Sequence, residues 1–231
     1  PENPETPETP ETPETPAPAP AGGRVIVGYV TYWESRLPDP TLLTHINYAF
    51  ALIKNDFETL DIKTPSRLQQ VVALKKQNPD LKVMLSVGGW GAGNFSEMAA
   101  DANHRMKFAQ NCLAAVNKYG LDGIDIDWEY PTAGPSENGK HPDDTKNFNI
   151  VLKELREAIG NEKIISYASS ANADYVDWAT AMKNLDYVNV MTYDMGNPPY
   201  HNAPLYYSSS ITKKRSVDQS ITLHVSKGIP V

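Results

Sequence analysis

From Asp122 to Tyr130 the chain reads Asp-Gly-Ile-Asp-Ile-Asp-Trp-Glu-Tyr, with acids and large apolar residues taking alternate places. Side chains of a strand point to opposite faces in turn, so Asp125, Asp127 and Glu129 share one face and Ile124, Ile126 and Trp128 the other. Successive acids on that face stand about 6 to 7 Å apart. Such a strand must bury two isoleucines and a tryptophan on one side while giving three carboxylates polar company on the other. Few architectures offer both.

The rest of the chain narrows the choice. From Arg24 onward β-branched runs alternate with helical periodicity, the pattern of a parallel sheet with crossover helices. Six strands are predicted, near Val25 to Val30, Ile46 to Leu52, Lys82 to Val87, Gly123 to Trp128, Ile164 to Ala168 and Tyr187 to Thr192. Helical patterns lie near Pro65 to Gln77, Asn103 to Tyr119, Asp143 to Ile159 and Asp174 to Lys183, with a weaker one at Ser216 to Ser226. Only the connection between the first two strands lacks a helix. Asn78-Pro79, Gly120 and Gly160-Asn161 are helix stops.

Six such units fit either an open doubly wound sheet or most of an eight-stranded barrel. The acidic strand decides between them. Central strands of a doubly wound sheet are apolar on both faces, whereas charged groups gather at the C-terminal mouth of a barrel. The expected fold is therefore α/β, a (β/α)8 TIM barrel with about six βα units in this chain.

Three carboxylates lining a barrel interior cannot all stay ionised cheaply. Burial and mutual repulsion raise their pKa values, so at least one proton is expected to be shared within the stack, with Glu129 held protonated toward neutral pH. A general acid needs that state. A solvated strand edge or a hard-cation site would also suit Asp-x-Asp-x-Glu. The interleaved Trp128 and isoleucines argue against a solvated edge, and no histidine on the strand points to a transition metal.

The net charge of −7 says little about partners. Glu2, Glu5, Glu8, Glu11 and Glu14 carry −5 of it with no base among residues 1 to 16, which leaves the remainder at −2. A nearly neutral domain lacks the clustered basic face that nucleic-acid binding requires, so a neutral ligand is expected. Residues 1–23 read as a disordered Pro-Glu-Thr-rich linker ahead of a domain at 24–231, because they hold no large apolar residue and their prolines favour an extended spacer. Such a spacer implies a surface anchor or another domain on its far side. No apolar run reaches the roughly 18 residues of a membrane span, and the chain opens on Pro1 without a signal-like segment. The expectation is a secreted or surface-attached protein whose signal has been removed or omitted. Cys112, the single cysteine, lies in an Ala-rich helical stretch and reads as core.

Asp122, Asp125, Asp127 and Glu129 match the Asp-x-x-Asp-x-Asp-x-Glu signature of family 18 glycoside hydrolases, the chitinase family, and four acids in register make the resemblance specific. It extends to Ser86-Val87-Gly88-Gly89-Trp90, to His45 through Phe50, to Gly28-Tyr29 and to Met191-Thr192-Tyr193-Asp194, and so covers residues 24 to 231. The resemblance implies hydrolysis of β-1,4 linkages between N-acetylglucosamine units of chitin or chitooligosaccharides. The substrate's own 2-acetamido oxygen would attack, giving an oxazolinium intermediate and retention, outside the two-carboxylate scheme. No metal or organic cofactor is needed for that chemistry.

By position, the resemblance makes Glu129 the acid and later the base, Asp127 the partner of the acetamido group, and Asp125 the group that shares its proton from below. Tyr193 would donate to the acetamido oxygen and Asp194 would bind a sugar hydroxyl. Met191 would pack beneath the reacting ring, with Tyr29, Phe50 and Trp90 flooring the site beside Gly89. Asp122, Ser86 and Gly88 are expected to serve structure, Asp122 because it lies out of phase with the other acids.

A full member would continue past Lys227 to Val231 into two further strands, so the sequence is expected to be part of a longer protein, with weak or no activity by itself. Two other readings stay open. One is an endo-β-N-acetylglucosaminidase acting on N-glycan chitobiose cores. The other is a non-catalytic chitin-binding lectin, against which the intact Glu129 argues. Trp128-Glu129-Tyr130-Pro131 resembles chitinases more than endoglycosidases.

Overall fold

A computed structural model describes residues 23–135 and 138–230. The proposed linker and the end at Val231 fall outside them, apart from Gly23. The strands are β1 (Val27–Thr31), β2 (His45–Ile53), β3 (Leu60–Ile62), β4 (Lys82–Gly88), β5 (Gly123–Asp127), β6 (Ile164–Ser170) and β7 (Tyr187–Met191). They form one sheet in the order β1-β2-β4-β5-β6-β7, with every neighbouring pair on this path parallel. The helices are α1 (Pro65–Ala73), α2 (Phe95–Ala100), α3 (Ala102–Tyr119), α4 (Asp144–Ile159), α5 (Trp178–Ala181) and α6 (Val217–Ser226). None of them is long and apolar enough to cross a membrane.

The sheet curls until its two ends face each other. Asn189 on β7 donates to the Tyr29 hydroxyl on β1 at 3.2 Å, and Tyr187 packs its ring edgewise on His45 of β2 at 5.6 Å. This is the incomplete barrel expected from the alternation of strand and helix. Pleating then sorts every strand. Ile46, Tyr48, Val83, Leu85, Ile124, Ile126, Ile165 and Tyr167 face outward into one apolar core shared with α1 to α4, while Ser86, Asp125, Ser166 and Asn189 face inward. Cys112 is buried in that core, as its surroundings in the sequence imply.

Local chemistry explains the boundaries. Asp101 caps α3 by accepting from the amides of Asn103 and His104, and Gly120 ends it at φ +65. Ser216 and Gln219 form a reciprocal capping box at the start of α6. The structure departs from the sequence reading in three places. The segment expected to be helical from Asp174 to Lys183 keeps only the single α-helical turn of α5, because Ala173 and Tyr175 adopt left-handed backbone angles just before it. A seventh strand, β3, pairs antiparallel with β2 and is too short to show a period. Helix α2 is likewise too short to announce itself.

Gly88 marks the closest approach in the sheet. Its φ is +121, and a Cβ there would lie 2.0 Å from the Asp127 carbonyl oxygen, which already accepts from the Gly89 amide at 2.9 Å. Gly88→Ala is expected to lower the unfolding free energy by about 2 kcal/mol or more. A denaturation midpoint equal to wild type would contradict this account of the β4–β5 junction.

Candidate active site

Strand β5 ends at Asp127, and the next residue sets the direction in which the chain leaves it. Trp128 turns outward and is held between the stacked ring of Phe95 at 5.3 Å and the edge of Phe148 at 5.8 Å. With that side chain locked in the core, Glu129 emerges on the inward side at the barrel mouth. The acids therefore form a column, with Asp125 fully buried, Asp127 5% exposed and Glu129 half-buried.

Asp125 is gripped from four strands. Tyr29 of β1 and Ser86 of β4 each donate a hydroxyl to Oδ2 at 2.8 Å, while Ser166 of β6 and Asn189 of β7 donate to Oδ1 at 2.5 and 3.2 Å. Burial raises its pKa and these four bonds oppose the rise. Asp127 has no such cage. Its Oδ1 has no partner among the described residues, and burial, followed by the charges of Glu129 and Asp125, pushes its pKa up to about 8. Glu129 is raised by burial, against hydrogen bonding from Tyr130 and with help from Asp194.

Two connected hollows open above the column. One of about 230 Å³ is bounded by Tyr29, Phe50, Asp127, Asn189, Met191 and Tyr193. The other, about 460 Å³, is bounded by Trp90, Glu129, Tyr130, Tyr175, Tyr193 and Asp194, with Met191 again in its wall. A larger groove of about 730 Å³ lies outside the barrel between α4 and α5 and touches no residue of the column. Size is therefore a poor guide to the site here, and the acids are the better one.

The structure brings the expected residues together with differing degrees of contact. Phe50 reaches the interior through a bulge, since the β2–β4 register shifts between Ala49 and Ala51. Its ring would lie only 2.9 Å from a Cβ on Gly89. Gly89 thus commits its amide to Asp127 and its bare Cα to Phe50. Tyr29 is 41% exposed, yet its hydroxyl is tied to Asp125 below the hollows. Trp90 and Tyr193 stand freest at the rim, 71% and 53% exposed, and burial with the nearby acids pushes the Tyr193 hydroxyl up to about 12. The Asp194 amide is fixed by Asn202 Oδ1 at 3.0 Å. Asp122 sits at the opposite end of β5, accepting from the Val83 amide at 2.7 Å and paired with Lys75. Asp186 repeats that arrangement ahead of β7, accepting from the Ile165 amide at 2.7 Å and from Arg156 at 2.6 Å.

Several residues of the site escaped the sequence reading. Ser166 and Asn189 hold Asp125, and their signal was present as lone polar residues at inward positions of apolar strands. Tyr130 and Tyr175 stack at 5.1 Å with a 17° tilt and form one wall of the larger hollow. No periodicity could have paired them, because 45 residues separate two loops. Among the described residues no group of three or more His, Cys, Asp or Glu side chains is placed to hold a metal ion.

The raised pKa of Asp127 carries a sign. An acid whose folded-state pKa exceeds its unfolded value favours the fold at low pH and loses that contribution as pH rises to the folded value. Stability of the wild type, relative to Asp127→Asn, is expected to fall between the ordinary carboxylate range and about pH 8. Parallel melting curves across that window would show the two variants diverging; a constant offset would refute the assignment.

The sequence pattern of Glycosyl hydrolases family 18 matches residues 25–231. The chain is 31% identical to Chitinase A1 of Niallia circulans over 88% of its own length and 39% of that protein's. It is 30% identical to Chitotriosidase-1 of Mus musculus over 89% and 50%. It thus spans half or less of the length of these curated relatives. Among solved structures it superposes on the chitinase domain of the spore coat protein CotE from Clostridium difficile with a TM-score of 0.85 and 34% identity, covering 91% of this chain and 64% of that one. A family 18 N-acetylglucosaminidase from Paenibacillus barengoltzii gives 0.82 and 35%, with coverages of 90% and 66%. With the acid column at the mouth of the same incomplete barrel, the chain belongs to glycoside hydrolase family 18.

Proposed function

We propose that the acid column serves to hydrolyse β-1,4 linkages between N-acetylglucosamine units of chitin or chitooligosaccharides, with retention and with the substrate's acetamido group as nucleophile. The observation that carries this reading is the contrast within the column. Asp125 is saturated with donors, Asp127 keeps one oxygen unpartnered beside it, and Glu129 is held toward its protonated form at the mouth. The names of the relatives, chitinases and a chitotriosidase, support the substrate class.

The chemistry follows from those states. Glu129 gives its proton to the glycosidic oxygen as the C1–O bond breaks, and the acetamido carbonyl oxygen closes onto C1 from the opposite face. The resulting oxazolinium carries positive charge near its nitrogen. The unpartnered oxygen of Asp127 accepts from the acetamido N–H, beside the atom where that positive charge forms. Water then attacks C1, Glu129 takes its proton, and the acetamide is restored with two inversions giving retention. Tyr193 donates to the acetamido oxygen and Asp194 binds a sugar hydroxyl. Met191, Tyr29, Phe50 and Trp90 supply apolar surface for the ring faces. Export to the exterior, where such polymers occur, completes the reading.

Glu129→Gln in the full-length protein is expected to lower kcat on chitooligosaccharides by about 10²- to 10⁴-fold. Undiminished turnover would sink the role of Glu129. The alkaline limb of the wild-type kcat profile should report loss of the Glu129 proton above the ordinary glutamate range, because its pKa is raised. A limb at the unperturbed glutamate value would contradict the proposed acid. Nuclear magnetic resonance of the first product should show the β anomer, and an α product would exclude retention.

A further inference from the structure

The turn after the proposed acid is strained and clamped from outside the barrel. Tyr130 and Ala133 close it, the Ala133 amide donating to the Tyr130 carbonyl at 2.9 Å. Pro131 occupies the second position, and Thr132 the third with φ +68, a conformation that suits glycine and disfavours a β-branched residue. Gly134 comes next, within reach of the Glu129 carbonyl oxygen, where a Cβ would lie 2.5 Å away. Nothing in the turn itself makes Thr132 a good choice. Its amide instead donates to Asp144 Oδ2 at 3.3 Å.

Asp144 is the first residue of α4 and is fully buried. Its Oδ2 also accepts from the His141 amide at 2.7 Å, and its Oδ1 accepts from the Ser96 hydroxyl of α2 at 2.8 Å. One carboxylate therefore joins the turn after Glu129 to two helices of the outer layer. The next residue performs a parallel task. The Thr145 hydroxyl donates to the carbonyl of Tyr175 at 2.9 Å, and Tyr175 also carries a positive φ of +71. Tyr130 and Tyr175 are the two stacked rings that wall the larger hollow.

We infer that Asp144 and Thr145 are positioning residues for the hydrolytic site: together they hold the two strained loops whose tyrosines form the wall beside Glu129. This rests on the hydrolytic reading of Glu129. Buried carboxylates persist when donors satisfy them, and strained backbone persists where its surroundings over-determine it. Here each condition meets the other. Glu129 itself is faced by Asp127, Tyr130, Tyr193 and Asp194, with Lys214 and Arg215 on the rim of the same hollow. Of these only Tyr130 lies in the clamped turn.

The deciding experiment compares Asp144→Ala, which removes both acceptor oxygens, with wild type in the full-length protein. Release of the turn is expected to lower kcat by about tenfold or more, while KM stays within about threefold. The Glu129 titration midpoint, followed by carboxyl carbon resonance, should shift as the Tyr130 ring moves from its place beside it. A variant that is less stable but keeps wild-type kcat and midpoint would overturn the inference. Should Asp144→Ala fail to fold, Thr145→Val provides the second arm, with KM for chitooligosaccharides rising by about threefold or more and Thr145→Ser restoring it. Wild-type KM in Thr145→Val would likewise overturn it. A wild type that leaves chitooligosaccharides intact would instead sink the hydrolytic reading, and the Glu129 midpoint in Asp144→Ala would still test the clamp.

Discussion

A carboxylate buried at the centre of a curled sheet must be satisfied from every direction, and Asp125 imposes that demand on four strands at once. Its donors come from β1, β4, β6 and β7. A flat sheet could supply donors only from neighbours of β5, so the bonds from Tyr29 and Asn189 exist because the sheet bends far enough to bring its ends together. Removing such a charge from water is costly, and the cost is offset only when its acceptor sites are filled. Curvature and charge thus depend on each other.

The states of the two upper acids depend on that base. Once the lowest acid has its full complement of donors, little remains for the next one. Asp127 lies in the same dry interior with an oxygen to spare and a carboxyl group on either side; burial above all, and then coupling to Glu129 and Asp125, holds its proton to about pH 8. Glu129 sits where burial lessens and loops begin, so its state is set by Tyr130 and Asp194 as well as by burial. The column is graded by solvation, from an acid saturated by protein donors to one that faces a hollow large enough for a ligand. Placing proton-holding groups along such a gradient separates their roles without changing the residue type.

The outer layer contributes more than packing. Trp128 is locked between Phe95 and Phe148, which stops β5 from sliding and sets the height at which Glu129 emerges. Asp122 and Asp186 secure the opposite ends of the strands by accepting from amides of the preceding strand in the sheet. Gly88 lets β4 come close enough for Gly89 to bond Asp127. These contacts fix the column in place, and most of them lie away from the hollows.

The sequence by itself determined the strand of alternating acids, the parallel sheet with its helices outside, and the inward face on which Asp125, Asp127 and Glu129 stand. Strand and helix periods are local properties, and alternation within nine residues is enough to put three acids on one side. It also carried the family resemblance, through motifs at the ends of separate strands. Only the tertiary structure decided which polar groups surround the acids and therefore how their protons are held. Ser166, Asn189 and Tyr29 come from strands far apart in the chain, Phe50 turns inward through a bulge that no period signals, and Tyr130 meets Tyr175 from a different loop. Hydrogen bonding and desolvation act across space, between residues whose meeting is set by the curvature of the sheet, and a local pattern holds no record of it.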